Sequence, residues 1–118
     1  MSGILLRNIV SGDRLCDITI KGSVISGIAP AGEAVPDGNM EIVDCGGRTA
    51  LPGMVNTHTH AAMTLMRGVG EDICFQEWIG RIWNEEEKID DGFIYWATKV
   101  ACLEMIRTGT TTFLDQYW

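Results

Sequence analysis

The first half of the chain consists of short apolar runs separated by turn-forming residues. Partial alternation of β-branched residues in "GILLRNIV" and "CDITIKGSVISGIA" predicts strands, with turns at Ser11-Gly12-Asp13 and Lys21-Gly22-Ser23. "PAGEAVPDGNM" is typical of a Pro/Gly-rich loop, and "EIVDCGGRTALPG" predicts a further strand that runs into another turn. We therefore expect a small β-unit over residues 1–50, whose apolar face needs a partner sheet.

The pattern changes after Pro52-Gly53 to a strand, two helices and a second strand. "MVNTH" predicts a short strand. A helix follows, because apolar residues recur at spacings of three and four: Phe75, Trp78, Ile79, Ile82 and Trp83. A second helix is expected between Asp90, a suitable N-cap, and Gly109, a suitable C-terminal cap. "TTTFLD" then predicts a buried strand. This order indicates a βαβ unit with two parallel strands and a right-handed crossover.

The apolar surface of this second half is larger than two strands can cover. The charged residues of the second helix, Lys99, Glu104 and Arg107, fall within an arc of about 140° on a helical wheel, so we expect neighbours on more than one side. For the tryptophans Trp78, Trp83 and Trp96 we expect core packing rather than stacking on a ligand. Because parallel sheets occur with both faces covered, the chain is expected to be the opening of a larger α/β protein.

Composition narrows the classes of function. The 118 residues are 46% hydrophobic, enough for the core of one domain. We find no apolar run long enough for a membrane span and no signal-peptide core. The four cysteines form no Cys-x-x-Cys pair, so we expect the reduced thiols of a cytoplasmic protein. The net charge of −7 and the acidic stretch from Glu71 to Asp91 argue against nucleic-acid binding, which needs a basic surface.

The stretch "LPGMVNTHTHAAMTLMRG", Leu51 to Gly68, contains the only two histidines of the chain, His58 and His60. On a strand, residues two apart share a face, and two neighbouring imidazoles can bind one metal ion. The tripeptide alone also fits two polar residues on the exposed face of a strand. Spacing by itself leaves both interpretations open.

The same stretch resembles the first barrel strand of the amidohydrolase superfamily. It is most similar to the branch that contains the 5-methylthioadenosine/S-adenosylhomocysteine deaminases, and the resemblance extends through "GVGEDICFQEWIGRIWNEEEKID" and "LEMIRTGTTTFLDQYW". Asn56, where the hydantoinase and dihydroorotase branches have Asp, favours the deaminase and chlorohydrolase branch. The resemblance implies an α/β fold: a β-sandwich portion over 1–50 and the start of a truncated (β/α)₈ barrel over 51–118. His58 and His60 then lie at the C-terminal end of the first barrel strand, where such barrels have their active sites.

The resemblance also implies the chemistry. In the family, the residues that match His58 and His60 bind one divalent metal, zinc or iron, which activates water for attack on the purine carbon that bears the amino group. Further ligands and the catalytic acid lie on later strands, so the resemblance implies no catalytic residue here beyond the metal pair. Asp115, at the end of the second strand, matches a position that is not a metal ligand in the family. We interpret it as a structural residue or as one that supports the metal ligands. The 118 residues alone are expected to be inactive, and to form homo-oligomers or require the remaining part of the barrel.

One glutamate is a candidate for substrate binding. In "RIWNEEEKID" the family has a Trp-Pro-x-Glu-x-Lys segment whose glutamate contacts the ribose hydroxyls, and matching Trp83 and Lys88 assigns that role to Glu86. Asn84 replaces the proline, and Glu85 and Glu87 flank the candidate, so a solvated helix face is the alternative. The expected function is deamination of an adenosine-like nucleoside. The alternatives are a guanine or cytosine deaminase or triazine chlorohydrolase on the same scaffold, and a non-catalytic assembly module.

Overall fold

The computed structural model describes residues 3–117, and the chain divides into two compact units, Met1–Pro52 and Gly53–Trp118. The elements, in chain order, are strands β1 (Gly3–Ser11), β2 (Arg14–Lys21), β3 (Val24–Pro30), β4 (Glu41–Asp44), β5 (Thr49–Ala50) and β6 (Met54–Thr59), a 3₁₀ helix (Ala61–Met66), helices α1 (Phe75–Glu86) and α2 (Asp91–Arg107), and strand β7 (Thr110–Asp115). In the described part of the chain, no helix is long and apolar enough to cross a membrane.

The first unit is one mixed sheet with the strand order β3-β2-β1-β4, in which β5 also pairs with β1. The hairpins β1–β2 and β2–β3 are antiparallel, whereas β4 and β5 run parallel to β1. The turns of both hairpins lie where the sequence predicts them, at Gly12 and Gly22, which adopt φ values of 64° and 61° that suit glycine. Ile9, Cys16 and Ile18 form the buried core of this sheet.

A buried carboxylate, Asp17, holds the irregular part of the sheet. Its side chain is fully buried and accepts hydrogen bonds from the backbone N–H groups of Asn8, at 3.1 Å, and Gly32, at 2.9 Å. Asn8 lies in the left-handed region (φ 54°), within the register shift of the β1–β2 pairing. Asp17 therefore fixes both the bulge of β1 and the turn after β3, since a buried carboxylate requires such partners.

The second unit is built on the parallel pairing of β6 with β7. This pairing confirms the two parallel strands expected from the sequence. Helix α2 begins and ends as predicted: the Asp90 carboxylate accepts a hydrogen bond from the Phe93 N–H at 2.8 Å, and Gly109 follows the helix with φ 91°. Helix α2 packs against the 3₁₀ helix and β7.

The expected burial of several aromatic and apolar side chains is wrong. Trp83 and Trp96 are 60% and 62% exposed, and Leu114 of the strand expected to be buried is 58% exposed. The apolar residues of α1 that are at least partly covered are Trp78, Ile79 and Ile82. A two-stranded sheet and two helices offer too few neighbours to bury the remaining faces. Helical periodicity shows which residues of a helix are apolar, but it does not show which of them are covered. The 3₁₀ helix after His60 had no sequence signal.

Gly53 lies where the chain approaches β7 too closely for any side chain. A Cβ atom on Gly53 would lie 2.0 Å from Thr111 Oγ1 and 2.7 Å from Thr111 Cβ. Because the Cβ atom of Thr111 is fixed to the backbone, this clash cannot be relieved by rotating a side chain. Glycine at this position therefore permits the entry of the chain into the β6–β7 sheet.

We expect Gly53→Ala to lower the free energy of unfolding by about 1–3 kcal/mol, the usual effect of overpacking, measured by urea denaturation. Gly80→Ala is the matched control: Gly80 lies within α1, and a Cβ there meets no atom within 4 Å. It should raise stability by about 0.5–1 kcal/mol, because alanine has the higher helix propensity. Equal stabilities of Gly53→Ala and the wild type would contradict the close approach.

Candidate metal and substrate site

The two histidines lie at the carboxyl end of β6. His58 is in the last part of the strand and His60 directly follows it, at the residue before the 3₁₀ helix. Both side chains are exposed, and their ring centroids are 5.1 Å apart with an interplanar angle of 88°. The period of the strand therefore brings the two imidazoles side by side, as the sequence predicted from their spacing.

The ring of His60 is oriented by the backbone that follows β7. His60 Nδ1 lies 2.6 Å from the carbonyl oxygen of Gln116. Since a carbonyl oxygen only accepts hydrogen bonds, Nδ1 carries the proton. The lone pair of the neutral ring is then on Nε2, the nitrogen left to bind a metal ion, and a partner of this kind is the usual way to fix the orientation of a metal-binding imidazole.

Two more hydrogen bonds define the local backbone around the histidine pair. Asp115 Oδ1 accepts from the N–H of Ala61 at 2.9 Å, and Asn56 Oδ1 accepts from the N–H of His58 at 3.2 Å. The Asp115 carboxylate thus holds the first residue of the 3₁₀ helix, which agrees with the structural interpretation of this residue. Its Oδ1 atom serves the backbone next to His60.

Glu86 lies on a small cavity that His60 also lines. The cavity has a volume of about 170 Å³. Its walls are mainly apolar and are formed by His60, Met63, Trp78, Ile79, Ile82, Glu86, Gln116 and Tyr117. His58 is not among the lining residues. A carboxylate and an imidazole on an otherwise apolar wall are typical of ligand sites, which have few polar groups among apolar ones.

The two glutamates beside Glu86 have other environments. Glu85 Oε1 lies 2.7 Å from Lys88 Nζ, and Glu87 is exposed at the end of α1. Only Glu86 faces the cavity lined by His60. Helix geometry explains the difference, because three consecutive residues of a helix point in directions about 100° apart.

Tyr117 is the residue that the sequence did not identify. Its hydroxyl donates a hydrogen bond to Glu86 Oε1 at 3.1 Å. Partial burial, this hydrogen bond, and the negative charges of Glu86 and Asp115 raise the pKa of Tyr117 to about 12. The phenol therefore remains a proton donor across the physiological range. No sequence motif indicated this contact, which joins residues 31 positions apart.

An ion pair supports the 3₁₀ helix on α2. Arg67 contacts both carboxylate oxygens of Glu104, with Nη1 3.1 Å from Oε1. The hydrogen bond and charge of each partner act on the other: the pKa of Glu104 is lowered and that of Arg67 is raised. Both side chains are largely solvated, so the pair orients the segment after the 3₁₀ helix more than it stabilises the fold.

The first unit contains a larger, open depression of about 840 Å³. It lies beside the ion pair of Lys21 and Asp37, whose Nζ and Oδ2 atoms are 2.7 Å apart. Neither histidine nor Glu86 lines it. Size therefore does not identify the candidate site in this chain; the chemistry of the lining residues does.

The donor set fits two of the positions of a catalytic metal centre. His58 and His60 are adjacent neutral-imidazole donors, and a catalytic zinc site normally has three protein ligands and an open position. Within residues 3–117, no group of three or more His, Cys, Asp or Glu side chains is close enough to bind a metal ion. The described residues thus offer two candidate ligands, His58 and His60.

A family model decides the class of this protein. The model described as "Amidohydrolase family" matches residues 49–117, which include both histidines, Glu86 and Tyr117. The chain belongs to the amidohydrolase family. The match confirms the resemblance of the stretch from Leu51 to Gly68 to that group of enzymes.

Curated relatives within the amidohydrolase family agree along nearly the whole chain. A 5'-deoxyadenosine deaminase of Methanocaldococcus jannaschii is 42% identical over 98% of this chain and 27% of its own length. A 5-methylthioadenosine/S-adenosylhomocysteine deaminase of Archaeoglobus fulgidus is 37% identical over 99% of this chain and 28% of its own length. The chain therefore spans little more than a quarter of the length of these two relatives.

A solved structure agrees with this family assignment. The crystal structure of an adenosine deaminase from Xanthomonas campestris, solved with bound zinc, superimposes with a TM-score of 0.73 at 28% identity. The match covers 98% of this chain and 28% of that one. This likeness confirms the α/β character of the fold and the relation to amidohydrolases.

The raised pKa of Tyr117 gives a direct test of its contact with Glu86. The chain has two tyrosines, so Tyr95→Phe leaves Tyr117 as its single phenol. In that variant, the ultraviolet absorbance of phenolate should rise with a midpoint near pH 12. Because the folded pKa exceeds the ordinary value of 10.0, the contribution of this contact to stability is complete below pH 10 and is lost as the pH rises through about 12.

Adding Glu86→Gln should move this midpoint toward 10, since the carboxylate charge and its hydrogen bond raise the phenol pKa together with burial. Glu87→Gln, a change of the exposed neighbour, should leave the midpoint unchanged. A midpoint near 10 in the Tyr95→Phe variant would show that the contact does not form.

Proposed function

We propose that this chain supplies the first part of the active site of a metal-dependent aminohydrolase. The reaction is the hydrolytic deamination of an adenosine-like nucleoside, of the 5-methylthioadenosine/S-adenosylhomocysteine or 5'-deoxyadenosine kind. The names of the relatives support the substrate class. The observation that carries the metal assignment is the hydrogen bond from His60 Nδ1 to the Gln116 carbonyl oxygen, because it leaves Nε2 as a metal donor.

In this proposal His58 and His60 hold the metal, with zinc favoured by the neighbour solved with bound zinc. When bound, a divalent metal supplies the activation of the attacking water at neutral pH. The residues of this chain orient the site: Gln116 fixes the ring of His60, and Asp115 fixes the backbone that follows it. Protonation of the departing amine needs a general acid, and we assign that role to no residue between 3 and 117.

We propose that Glu86 binds the ribose hydroxyls of the substrate. A carboxylate can accept two hydrogen bonds from neighbouring hydroxyls, and Glu86 lies on the wall of the cavity that His60 lines. The wall beside Glu86 is mainly apolar, with Trp78 and Ile82 among its residues. Substrates without a ribose would gain nothing from this glutamate.

The fold that we propose for the whole enzyme consists of a (β/α)₈ barrel and a β-sandwich. The mixed sheet of the first unit is one layer of the sandwich, and β6 and β7 are the first two barrel strands. Exposed apolar side chains on β6, α2 and β7 support this arrangement: Val55, Leu103, Ile106 and Leu114 are all more than half exposed. We propose that further βα units of the barrel cover them, because parallel sheets are stable with both faces covered. The four free cysteines are in keeping with the proposed cytoplasmic location.

The metal assignment predicts that His58→Ala or His60→Ala lowers metal content and deaminase activity of the active enzyme. We expect the rate to fall more than about 100-fold, since changes behind the ligands alone cost about 10–100-fold. Metal content is measured by atomic emission after equilibration with zinc.

The control for both variants is Thr57→Ala, a change on the same strand at the residue before His58. It should retain bound metal. Wild-type metal content in a His58→Ala, His60→Ala double variant would refute the assignment.

The substrate assignment predicts that Glu86→Gln weakens the binding of a ribonucleoside by about 1–3 kcal/mol, the range for hydrogen bonds to charged groups. The free base, which lacks the sugar, should be processed as before. Steady-state kinetics with both substrates measures the difference. Glu87→Gln is the control, since Glu87 is exposed. Equal losses of activity on both substrates, or a larger loss for Glu87→Gln than for Glu86→Gln, would contradict the role of Glu86.

A further inference from the structure

Two consecutive residues after β7 contact the two most important side chains of the proposed site. The carbonyl of Gln116 accepts the hydrogen bond of His60 Nδ1, and the hydroxyl of Tyr117 donates to Glu86 Oε1. The position of this dipeptide is set by the sheet, because the Gln116 N–H donates to the Thr59 carbonyl oxygen at 2.9 Å. One short segment thus contacts the side chain that follows β6 and another on α1.

The contact between Tyr117 and Glu86 is partly buried beside the cavity. Both residues are half-buried and both line the cavity of about 170 Å³. The phenol is the donor and the carboxylate the acceptor, since an ionised carboxylate only accepts. Such a hydrogen bond to a charged group is stronger than one between neutral groups.

The Glu86 side chain lies at the end of a helix, where a hydrogen-bond partner can order it. Glu86 is the last residue of α1, and its neighbour Glu87 already belongs to the helix cap. A glutamate side chain has several rotatable bonds, and ordering it on ligand binding reduces affinity. A donor that already holds Oε1 removes part of that loss. It leaves Oε2 and the second acceptor site of Oε1 for the hydroxyls of a ligand.

We propose that Tyr117 is a positioning residue, which holds the Glu86 carboxylate in place for the vicinal hydroxyls of a ribonucleoside. This inference rests on the proposed function, in which Glu86 binds the sugar. Tyr117 acts through Glu86 and has no role in the chemical step. Its contribution is therefore to substrate affinity, and it is confined to substrates that carry the diol.

The test is Tyr117→Phe in the metal-loaded enzyme, which removes one hydroxyl and retains the ring. We expect KM for a ribonucleoside to rise about 3–10-fold with kcat within about twofold, because a binding contact common to ground state and transition state is lost. KM for the 2',3'-dideoxynucleoside should not change. Tyr95→Phe is the matched control, because Tyr95 is 55% exposed on α2. Its replacement should change KM for neither nucleoside.

A double-variant cycle separates positioning from a merely structural role. In a Glu86→Gln background, adding Tyr117→Phe should leave KM for the ribonucleoside within about twofold, since coupled residues share one effect. Equal losses on both nucleosides, or an undiminished effect of Tyr117→Phe in the Glu86→Gln background, would overturn the inference.

The same measurements distinguish the two levels of the account. If Glu86→Gln impairs the ribonucleoside selectively and Tyr117→Phe does not, the positioning role fails and the proposed function stands. If Glu86→Gln does not distinguish the two nucleosides, or the wild type deaminates neither, the proposed sugar contact fails together with the inference.

Discussion

The parallel pairing of β6 with β7 is the constraint on which the rest of the candidate site depends. It places the carboxyl ends of both strands at one edge, so that Thr59 pairs with Asp115 and the residues that follow each strand become neighbours. Three contacts that orient the site cross this edge: His60 with Gln116, Ala61 with Asp115, and the Thr59 carbonyl with the Gln116 N–H. A shift of one residue in the register would separate all three pairs.

The close packing needed for this pairing explains two features of the sequence. Gly53 has no side chain because Thr111 occupies the space beside it, and Gly109 takes a left-handed conformation to pass from α2 into β7. The glycines lie at the points where β6 and β7 begin. The candidate site lies at the opposite ends of the same strands, where parallel α/β folds generally bind their ligands.

The sequence predicted the features that depend on local pattern. The side-by-side placement of His58 and His60 followed from the period of a strand. The ends of α2 followed from Asp90 and Gly109, because caps act on backbone groups within one turn. The exposure of Trp83 and Trp96 was not predictable in this way, since periodicity cannot show which neighbours are present. Gln116 and Tyr117 were missed because their partners lie 56 and 31 residues away, and these contacts arise from strand register.

The central claim is that His60 offers Nε2 to a metal ion that it shares with His58. Nitrogen-15 NMR of the imidazole rings tests it directly, because the chain has two histidines and their signals are easily assigned. The account predicts that His60 is protonated on Nδ1 before metal is added, and that zinc shifts the Nε2 resonance of His60 together with the ring resonances of His58. Protonation of His60 on Nε2, or rings that zinc leaves unchanged, would contradict it.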